Sequence, residues 1–76
     1  MEQKVVLITG ASGGMGGELA KQFASLDFKL ALHFNTNPIT ISENDSISHF
    51  QGDLTNKEYC IQLIDDVVKQ FGKIDV

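Results

Sequence analysis

The first half of the chain alternates between short apolar runs and one amphipathic stretch. Residues 4–9 are predicted to form a buried strand, because Val5–Ile8 is a continuous apolar run, rich in β-branched residues and followed closely by glycine. Such a run without alternation is typical of a parallel strand that is covered on both faces. A helix is predicted next, with an apolar face at spacings of four and three that consists of Met15, Leu19, Phe23 and Leu26. Residues 30–34 then form a second strand-like run.

The second half begins with a polar segment and continues with a third strand. Residues 35–45 contain mainly polar side chains together with Pro38, and they are predicted to form a loop. Ile47–Gln51 is predicted to be a strand that ends at Gly52. The order strand, glycine turn, helix and strand over about 30 residues has the size of a βαβ unit, in which the two strands are parallel.

A second helix is predicted to follow the third strand. Thr55 and Glu58 have the spacing of a capping box, in which each side chain satisfies a backbone N–H near the helix start. The core-facing stripe of this helix is predicted to comprise Tyr59, Leu63, Val67 and Phe71. Gly72 is a natural stop just beyond the helix end. Residues 74–76 have the pattern of a strand that is just starting.

Composition limits the chain to one small, acidic domain. Its 76 residues carry six Lys and Arg against ten Asp and Glu, which gives a net charge of −4. This balance argues against nucleic acid or an anionic membrane as a partner, since both attract basic surfaces. Cys60 is the single cysteine, so the chain has no internal disulfide and no multi-cysteine metal site, and we expect no metal. No apolar run has the length of a signal peptide or a membrane span, which favours a cytoplasmic location.

The candidate chemistry lies in the glycine-rich segment (residues 10–17), which holds five of the seven glycines between the first strand and the first helix. The first N–H groups of a helix lack intrahelical partners and carry the positive end of the helix dipole. Glycines let a ligand approach that backbone closely, and a phosphate group is the usual ligand. An acidic chain can therefore bind a dinucleotide without a basic patch.

The spacing of these glycines excludes two common phosphate-binding motifs. A Walker loop ends in Gly-Lys-Ser/Thr, and no lysine follows these glycines before Lys21. The G-x-G-x-x-G fingerprint fails because its last glycine would fall on Leu19. Residues 9–16, T-G-A-S-G-G-M-G, resemble instead the T-G-x-x-x-G-x-G signature of the short-chain dehydrogenase/reductase family. The resemblance implies an α/β fold, a Rossmann-like doubly wound parallel sheet with about three strands plus the start of a fourth in this chain.

Two further segments are similar to the same family. Residues 52–55, G-D-L-T, resemble its short acidic motif after the third strand, and residues 71–76 resemble the stretch before its fourth strand. The resemblance implies that residues 1–76 are the N-terminal part of a single NAD(P)-binding Rossmann domain, truncated before the catalytic half. The family's catalytic serine, tyrosine and lysine have no counterpart here, since Tyr59 lies on the predicted core stripe and is not followed by the required lysine. We expect the catalytic residues to lie beyond Val76 and this stretch alone to be inactive.

The resemblance implies a nicotinamide dinucleotide as the cofactor. The expected contacts are Gly10, Ser12, Gly13, Gly14, Met15, Gly16, Asn35, Thr36, Asp53 and Leu54. In the family pattern Gly10 would form the tight turn, Gly14 would let the backbone approach the pyrophosphate, and Gly16 would permit close packing of the helix on the strand.

The remaining contacts follow from the same resemblance. Ser12 and Gly13 would lie near the adenosine ribose and its phosphate. The Met15 N–H would face the pyrophosphate. Asp53 and the backbone of Leu54 would flank the adenine, while Thr55 is expected to cap the second helix.

The end of the second strand favours NADP over NAD, which stays as the alternative. A preference for NAD usually comes from an acid about 20 residues past the glycines, which binds the ribose 2′-OH and would repel a 2′-phosphate. No acid follows the second strand until Glu43, and no Arg or Lys lies in this segment. The phosphate would therefore meet the hydroxyl and amide donors of Asn35, Thr36 and Asn37. His33 is expected to be a partly exposed residue at the strand end and not a direct ligand.

The function implied by the resemblance is that of an oxidoreductase, which transfers hydride between NADP and the carbonyl or alcohol of a small molecule. A 3-oxoacyl-carrier-protein reductase is one candidate. The full-length parent would be a homo-oligomeric enzyme, and this stretch would supply cofactor binding only. The alternative is a non-catalytic nucleotide-binding fragment or an interaction protein. A redox sensor that uses Cys60 is a weaker alternative, because a cysteine in an apolar helical stripe is usually inert.

Overall fold

Three strands and two helices follow one another in the predicted order. The computed structural model describes residues 3–76. Its elements are β1 (Val5–Ile8), α1 (Gly14–Ala24), β2 (Lys29–Phe34), β3 (Ile47–Gln51) and α2 (Lys57–Phe71). Each strand agrees with its prediction to within one residue at either end. Neither of these helices combines the length and the apolar content that crossing a membrane would require, within the described residues.

The strands form one parallel sheet with β2 in the centre, in the order β1-β2-β3. Residues 74–76 run along the other edge of β1. There the Leu7 N–H donates to the Val76 carbonyl at 2.8 Å, and the Asp75 N–H donates to the Val5 carbonyl at 2.9 Å. The expected start of a fourth strand therefore lies beside the first strand, although its residues are not part of a regular strand.

The strand side chains alternate between two faces of the sheet, and a helix covers each face. The core under α1 includes Val6, Ile8, Leu30, Leu32 and Ile47. The core under α2 consists of Val5, Ala31, Leu63 and Val67. Helices on opposite faces make the sheet doubly wound, which explains why the strand sequences are apolar at consecutive positions. The predicted fold class is confirmed.

The buried face of α1 differs from the predicted one. Three residues of the predicted core stripe are exposed, namely Met15, Leu19 and Leu26. Ala20 is instead fully buried, and Phe23 is partly buried. The helix approaches the end of β1 so closely that a Cβ on Gly16 would overlap the carbonyl oxygen of Gly10. Only small residues fit at such an approach, so the sheet selects the glycine and alanine side of the helix and leaves the larger apolar side chains in solvent.

The predicted core stripe of α2 is confirmed. Leu63 and Val67 are buried, and Tyr59 and Phe71 are partly buried against the same cluster. The helix ends at Gly72, which has a φ of +87°. This left-handed backbone conformation is the one that favours glycine just beyond a helix end, as predicted.

The start of α2 is capped by Asn56 and not by the predicted capping box. Asn56 Oδ1 accepts a hydrogen bond from the Tyr59 N–H at 3.1 Å. Thr55 instead donates its N–H and its hydroxyl to Asp53 Oδ1, at 2.9 and 2.7 Å. The prediction that Thr55 and Glu58 cap the helix is therefore wrong. The turn that Asp53 forms engages the threonine and leaves the cap position to the next residue.

Candidate functional site

The segments that carry the predicted site residues lie at one edge of the sheet. The glycine-rich segment follows β1, residues 35–37 follow β2, and residues 52–54 follow β3. Because the strands are parallel, their carboxyl ends share an edge, and this is where doubly wound sheets bind ligands. The Gly52 N–H donates to the Phe34 carbonyl at 3.1 Å, which joins the ends of β2 and β3.

The glycine-rich segment makes a tight turn and then starts α1. Gly10 has a φ of +65°, a left-handed conformation that favours glycine. Its carbonyl accepts a hydrogen bond from the Gly13 N–H at 3.1 Å. A Cβ on Gly16 would overlap that carbonyl oxygen and would lie 2.9 Å from the carbonyl carbon. The turn at Gly10 therefore brings the backbone of β1 against the first turn of the helix.

The first turn of α1 offers backbone donors to an anion. Its N-cap is Gly13, which has no side chain to accept their hydrogen bonds, and the turn contains no acidic residue. These N–H groups carry the positive end of the helix dipole. A Cβ added at Gly14 would meet no heavy atom within 4 Å, so the space beside this backbone is open. A phosphate group fits such a site by its charge and by its acceptor oxygens.

An open cleft of about 260 Å³ lies between this helix start and the loop that follows β2. It is lined by residues 11–14, by Gly17, Glu18 and Lys21 of α1, and by residues 38–41. Ser12, Gly13 and Gly14 are thus the predicted site residues that the structure brings into the cleft.

Lys21 is a cation in the cleft that does not belong to the predicted cofactor contacts. It follows Gly17 by four residues and Gly14 by seven, and these spacings put all three residues on one side of a helix. This periodicity is the signal from which Lys21 could have been found. Glu18 brings a negative charge to the same cleft. A ligand phosphate would therefore meet an ammonium group and the helix start, with one carboxylate opposing them.

The other predicted contacts lie at the same edge of the sheet but outside this cleft. Asn35 and Thr36 are exposed at the end of β2. Asp53 is exposed as well, and hydrogen bonds from the Thr55 hydroxyl and N–H lower the pKa of its carboxyl below the ordinary value of 3.8. Leu54 is 38% exposed and presents apolar surface beside it. These four predicted residues offer polar groups and one apolar side chain to solvent just beyond the carboxyl ends of β2 and β3.

His33 is buried, so the expectation of a partly exposed strand-end residue is wrong. It is only 3% exposed, because its side chain lies between the ends of β1 and β3 on the α2 face of the sheet. Nδ1 accepts a hydrogen bond from the Gly10 N–H at 3.1 Å, and Nε2 lies 2.9 Å from the Gly52 carbonyl oxygen. Both ring nitrogens are thus used by the protein backbone, which leaves neither for a ligand.

Tyr59 packs beside this histidine, as its predicted packing role requires. The two rings are 6.1 Å apart, and a Cβ on Gly52 would overlap the tyrosine ring. The Tyr59 hydroxyl oxygen is buried and has no hydrogen-bond partner among residues 3–76. Desolvation, together with the charges of Asp66 and Cys60, raises the pKa of Tyr59. The hydroxyl is therefore neutral at ordinary pH, and Tyr59 is not among the residues that line the cleft.

Comparison with known proteins finds relatives that all belong to one family. The sequence model of the family described as short chain dehydrogenase matches residues 4–76. A dehydrogenase/reductase SDR family protein 7-like protein of Dictyostelium discoideum is 33% identical over 99% of this chain and 28% of its own length. An NADP-dependent mannitol dehydrogenase of Aureobasidium melanogenum is 35% identical over 99% of this chain and 32% of its own length.

A solved structure shows the same arrangement of strands and helices. The crystal structure of a short-chain dehydrogenase from Oenococcus oeni PSU-1 superposes with a TM-score of 0.77 and 29% sequence identity. The match covers 97% of this chain and 38% of that protein. The chain thus spans between a quarter and two fifths of the length of the relatives that it matches.

Proposed function

We propose, from the premise that this chain belongs to the short-chain dehydrogenase family, that it is the cofactor-binding part of an NADP-dependent oxidoreductase. Proteins of this family are oxidoreductases that use NAD or NADP. The reaction proposed for the whole protein is hydride transfer between the nicotinamide and a carbonyl or an alcohol. The cofactor supplies that chemistry, and the residues of this chain bind and orient it.

The observation that carries the proposal is the uncapped, glycine-lined start of α1. Gly13 offers no capping side chain, and the space next to Gly14 is open. The pyrophosphate would accept hydrogen bonds from the N–H groups of this first turn, including that of Met15. No basic patch is needed for this contact, which agrees with the net charge of −4.

The adenosine end would lie toward the ends of β2 and β3. Ser12 and Gly13 would contact the ribose and its phosphate. The ionised Asp53 carboxylate is an acceptor for the exocyclic amino group of adenine, which is a hydrogen-bond donor. Leu54 would contribute its backbone beside the ring.

Three observations support NADP over NAD. The first acid after β2 is Glu43, and its carboxylate accepts a hydrogen bond from the His49 N–H at 3.2 Å. No acid therefore stands next to Asn35 and Thr36, where a 2′-hydroxyl would need one. Lys21 lies in the cleft beside the helix start and offers a positive charge to a 2′-phosphate. A relative with 35% identity is NADP-dependent by its name.

The remaining features of the whole protein are also proposals. We place residues 1–76 at the N-terminal end of a single Rossmann domain whose catalytic residues follow Val76, because the relatives are about three times as long. A cytoplasmic homo-oligomer with a small carbonyl or alcohol substrate, such as a 3-oxoacyl thioester, fits this family. A nucleotide-binding protein without catalysis is the second candidate, since the cofactor site is the only site in residues 3–76 that the structure supports.

Titration of the protein with NADPH and NADH, followed by nicotinamide fluorescence, tests the proposal. We expect tighter binding of NADPH, and we expect Lys21→Gln to weaken NADPH binding about threefold to tenfold and NADH binding less, because NADPH carries one more phosphate for the ammonium group to meet. Lys69→Gln on α2, which does not line the cleft, is the matched control. Tighter binding of NADH would overturn the NADP assignment, and a folded protein that binds neither nucleotide would overturn the proposed function.

A further inference from the structure

One buried side chain connects the two segments of the proposed cofactor site. The His33 ring stands between the first residue of the glycine-rich segment and the carbonyl that precedes Asp53. The Gly10 N–H must donate its hydrogen bond, so Nδ1 carries no proton. Nε2 is then the protonated nitrogen and donates to the Gly52 carbonyl at 2.9 Å. One neutral imidazole therefore bridges a backbone donor and a backbone acceptor.

These two backbone groups depend on the histidine. Neither the Gly10 N–H nor the Gly52 carbonyl has another hydrogen-bond partner in the described part of the chain. The backbone of His33 adds a third contact, because its carbonyl accepts from the Ala11 N–H at 2.8 Å. Both hydrogen bonds are part-buried, and each holds its backbone group in one position, so loss of the ring would favour a rearrangement of both segments.

The geometry points to His33 as a positioning residue for the dinucleotide site, an inference that rests on the proposed function. Its ring fixes the distance between Gly10, which opens the phosphate-binding turn, and Gly52, which precedes the adenine-side Asp53. Burial at 3% exposure and the use of both nitrogens mean that it acts through the backbone and not by touching the cofactor. Tyr59 packs beside the ring, with the two ring centroids 6.1 Å apart.

Three substitutions at this position separate the two hydrogen bonds. His33→Phe keeps a ring and removes both bonds. His33→Asn keeps an acceptor at the position of Nδ1 and is too short to reach Gly52. His33→Gln places its amide near the position of Nε2 and lacks the acceptor for Gly10. Ser48→Ala is the control, because Ser48 is also buried and hydrogen-bonded, to Gln70 of α2, and has no contact with the glycine-rich segment.

Two measurements are made on each folded variant. Hydrogen exchange of the Gly10 amide, with the ¹⁵N shifts of the histidine ring, reports the bridge itself. NADPH titration reports the site. We expect His33→Phe to lose protection of Gly10 and to bind NADPH about tenfold more weakly, as the loss of one hydrogen bond at the phosphate turn predicts. We expect His33→Asn to recover most of the Gly10 protection and most of the NADPH affinity. We expect Ser48→Ala to lower stability and to leave NADPH binding unchanged.

The outcomes separate this inference from the proposed function. Unchanged NADPH binding in His33→Phe would overturn the positioning role, and so would equal weakening by Ser48→Ala, which would indicate a general effect of stability. If the folded wild-type protein binds neither NADPH nor NADH, the proposed function fails. The exchange data and the ring ¹⁵N shifts then still test the His33 bridge. A proton on Nδ1 or an unprotected Gly10 amide in the wild type would refute it.

Discussion

Alanine substitutions at two glycines of α1 should have opposite effects on folding and on binding. Gly16→Ala would place a methyl group that overlaps the carbonyl oxygen of Gly10. This backbone oxygen also accepts a hydrogen bond from the Gly13 N–H. Gly14→Ala, two residues earlier in the same helix, would place the same group in open space. Gly16 is therefore predicted to be required for packing, and Gly14 for the approach of the cofactor.

The magnitudes follow from two competing terms. Replacing glycine by alanine inside a helix stabilises by roughly 0.5–1 kcal/mol. At Gly16 the Cβ would overlap the carbonyl oxygen of Gly10 and lie 2.9 Å from its carbon, so the helix must move away from the end of β1. Overpacking of this kind costs about 1–3 kcal/mol. The net expectation is a loss of about 0–2.5 kcal/mol, centred on ~1 kcal/mol, and each kcal/mol lost lowers the Tm by roughly 4–8 °C.

Urea unfolding followed by circular dichroism measures the first effect, and titration with NADPH measures the second. Gly14→Ala should unfold at the wild-type urea concentration or slightly above it, yet bind NADPH more weakly. Gly16→Ala should unfold at a lower concentration. Equal stability of the two variants would refute the packing argument, and wild-type affinity in Gly14→Ala would refute the role of Gly14 in binding.

Two further predictions concern stability. Tyr59→Phe should raise the free energy of unfolding by up to about 1 kcal/mol in urea titration, because the buried hydroxyl has no partner in residues 3–76, and a decrease would reveal a partner. The Asp75 carboxylate accepts from the Val5 N–H at 2.8 Å and lies 3.0 Å from Lys73 Nζ, and these contacts lower its pKa below 3.8. The contribution of the Asp75 carboxylate to stability is therefore complete above pH 3.8, the ordinary pKa of the group. It is lost as the pH falls through the lowered pKa of the folded protein. The urea midpoint of Asp75→Asn should fall less steeply with acidification than that of the wild type, and parallel curves would contradict this assignment.

Local pattern was enough to predict the elements and most of their ends. Val5–Ile8 and Ile47–Gln51 are short apolar runs bounded by turn residues, and Gly72 stands where a left-handed helix end needs a glycine. The start of α2 was missed by one residue, because Thr55 and Asn56 are both good caps. A contact outside the helix, with Asp53, decided between them.

The sequence by itself determined the family, through residues 9–16, and the order of strands and helices. It did not determine which side of α1 is buried, because large apolar residues and small ones form two stripes on that helix. The approach of Gly16 to Gly10 decided in favour of the small stripe. It also did not reveal the burial of His33, whose ring makes hydrogen bonds to Gly10 and Gly52, 23 and 19 residues away in the chain. Such contacts exist only when the parallel strands have been paired, and for this reason only the tertiary structure could show them.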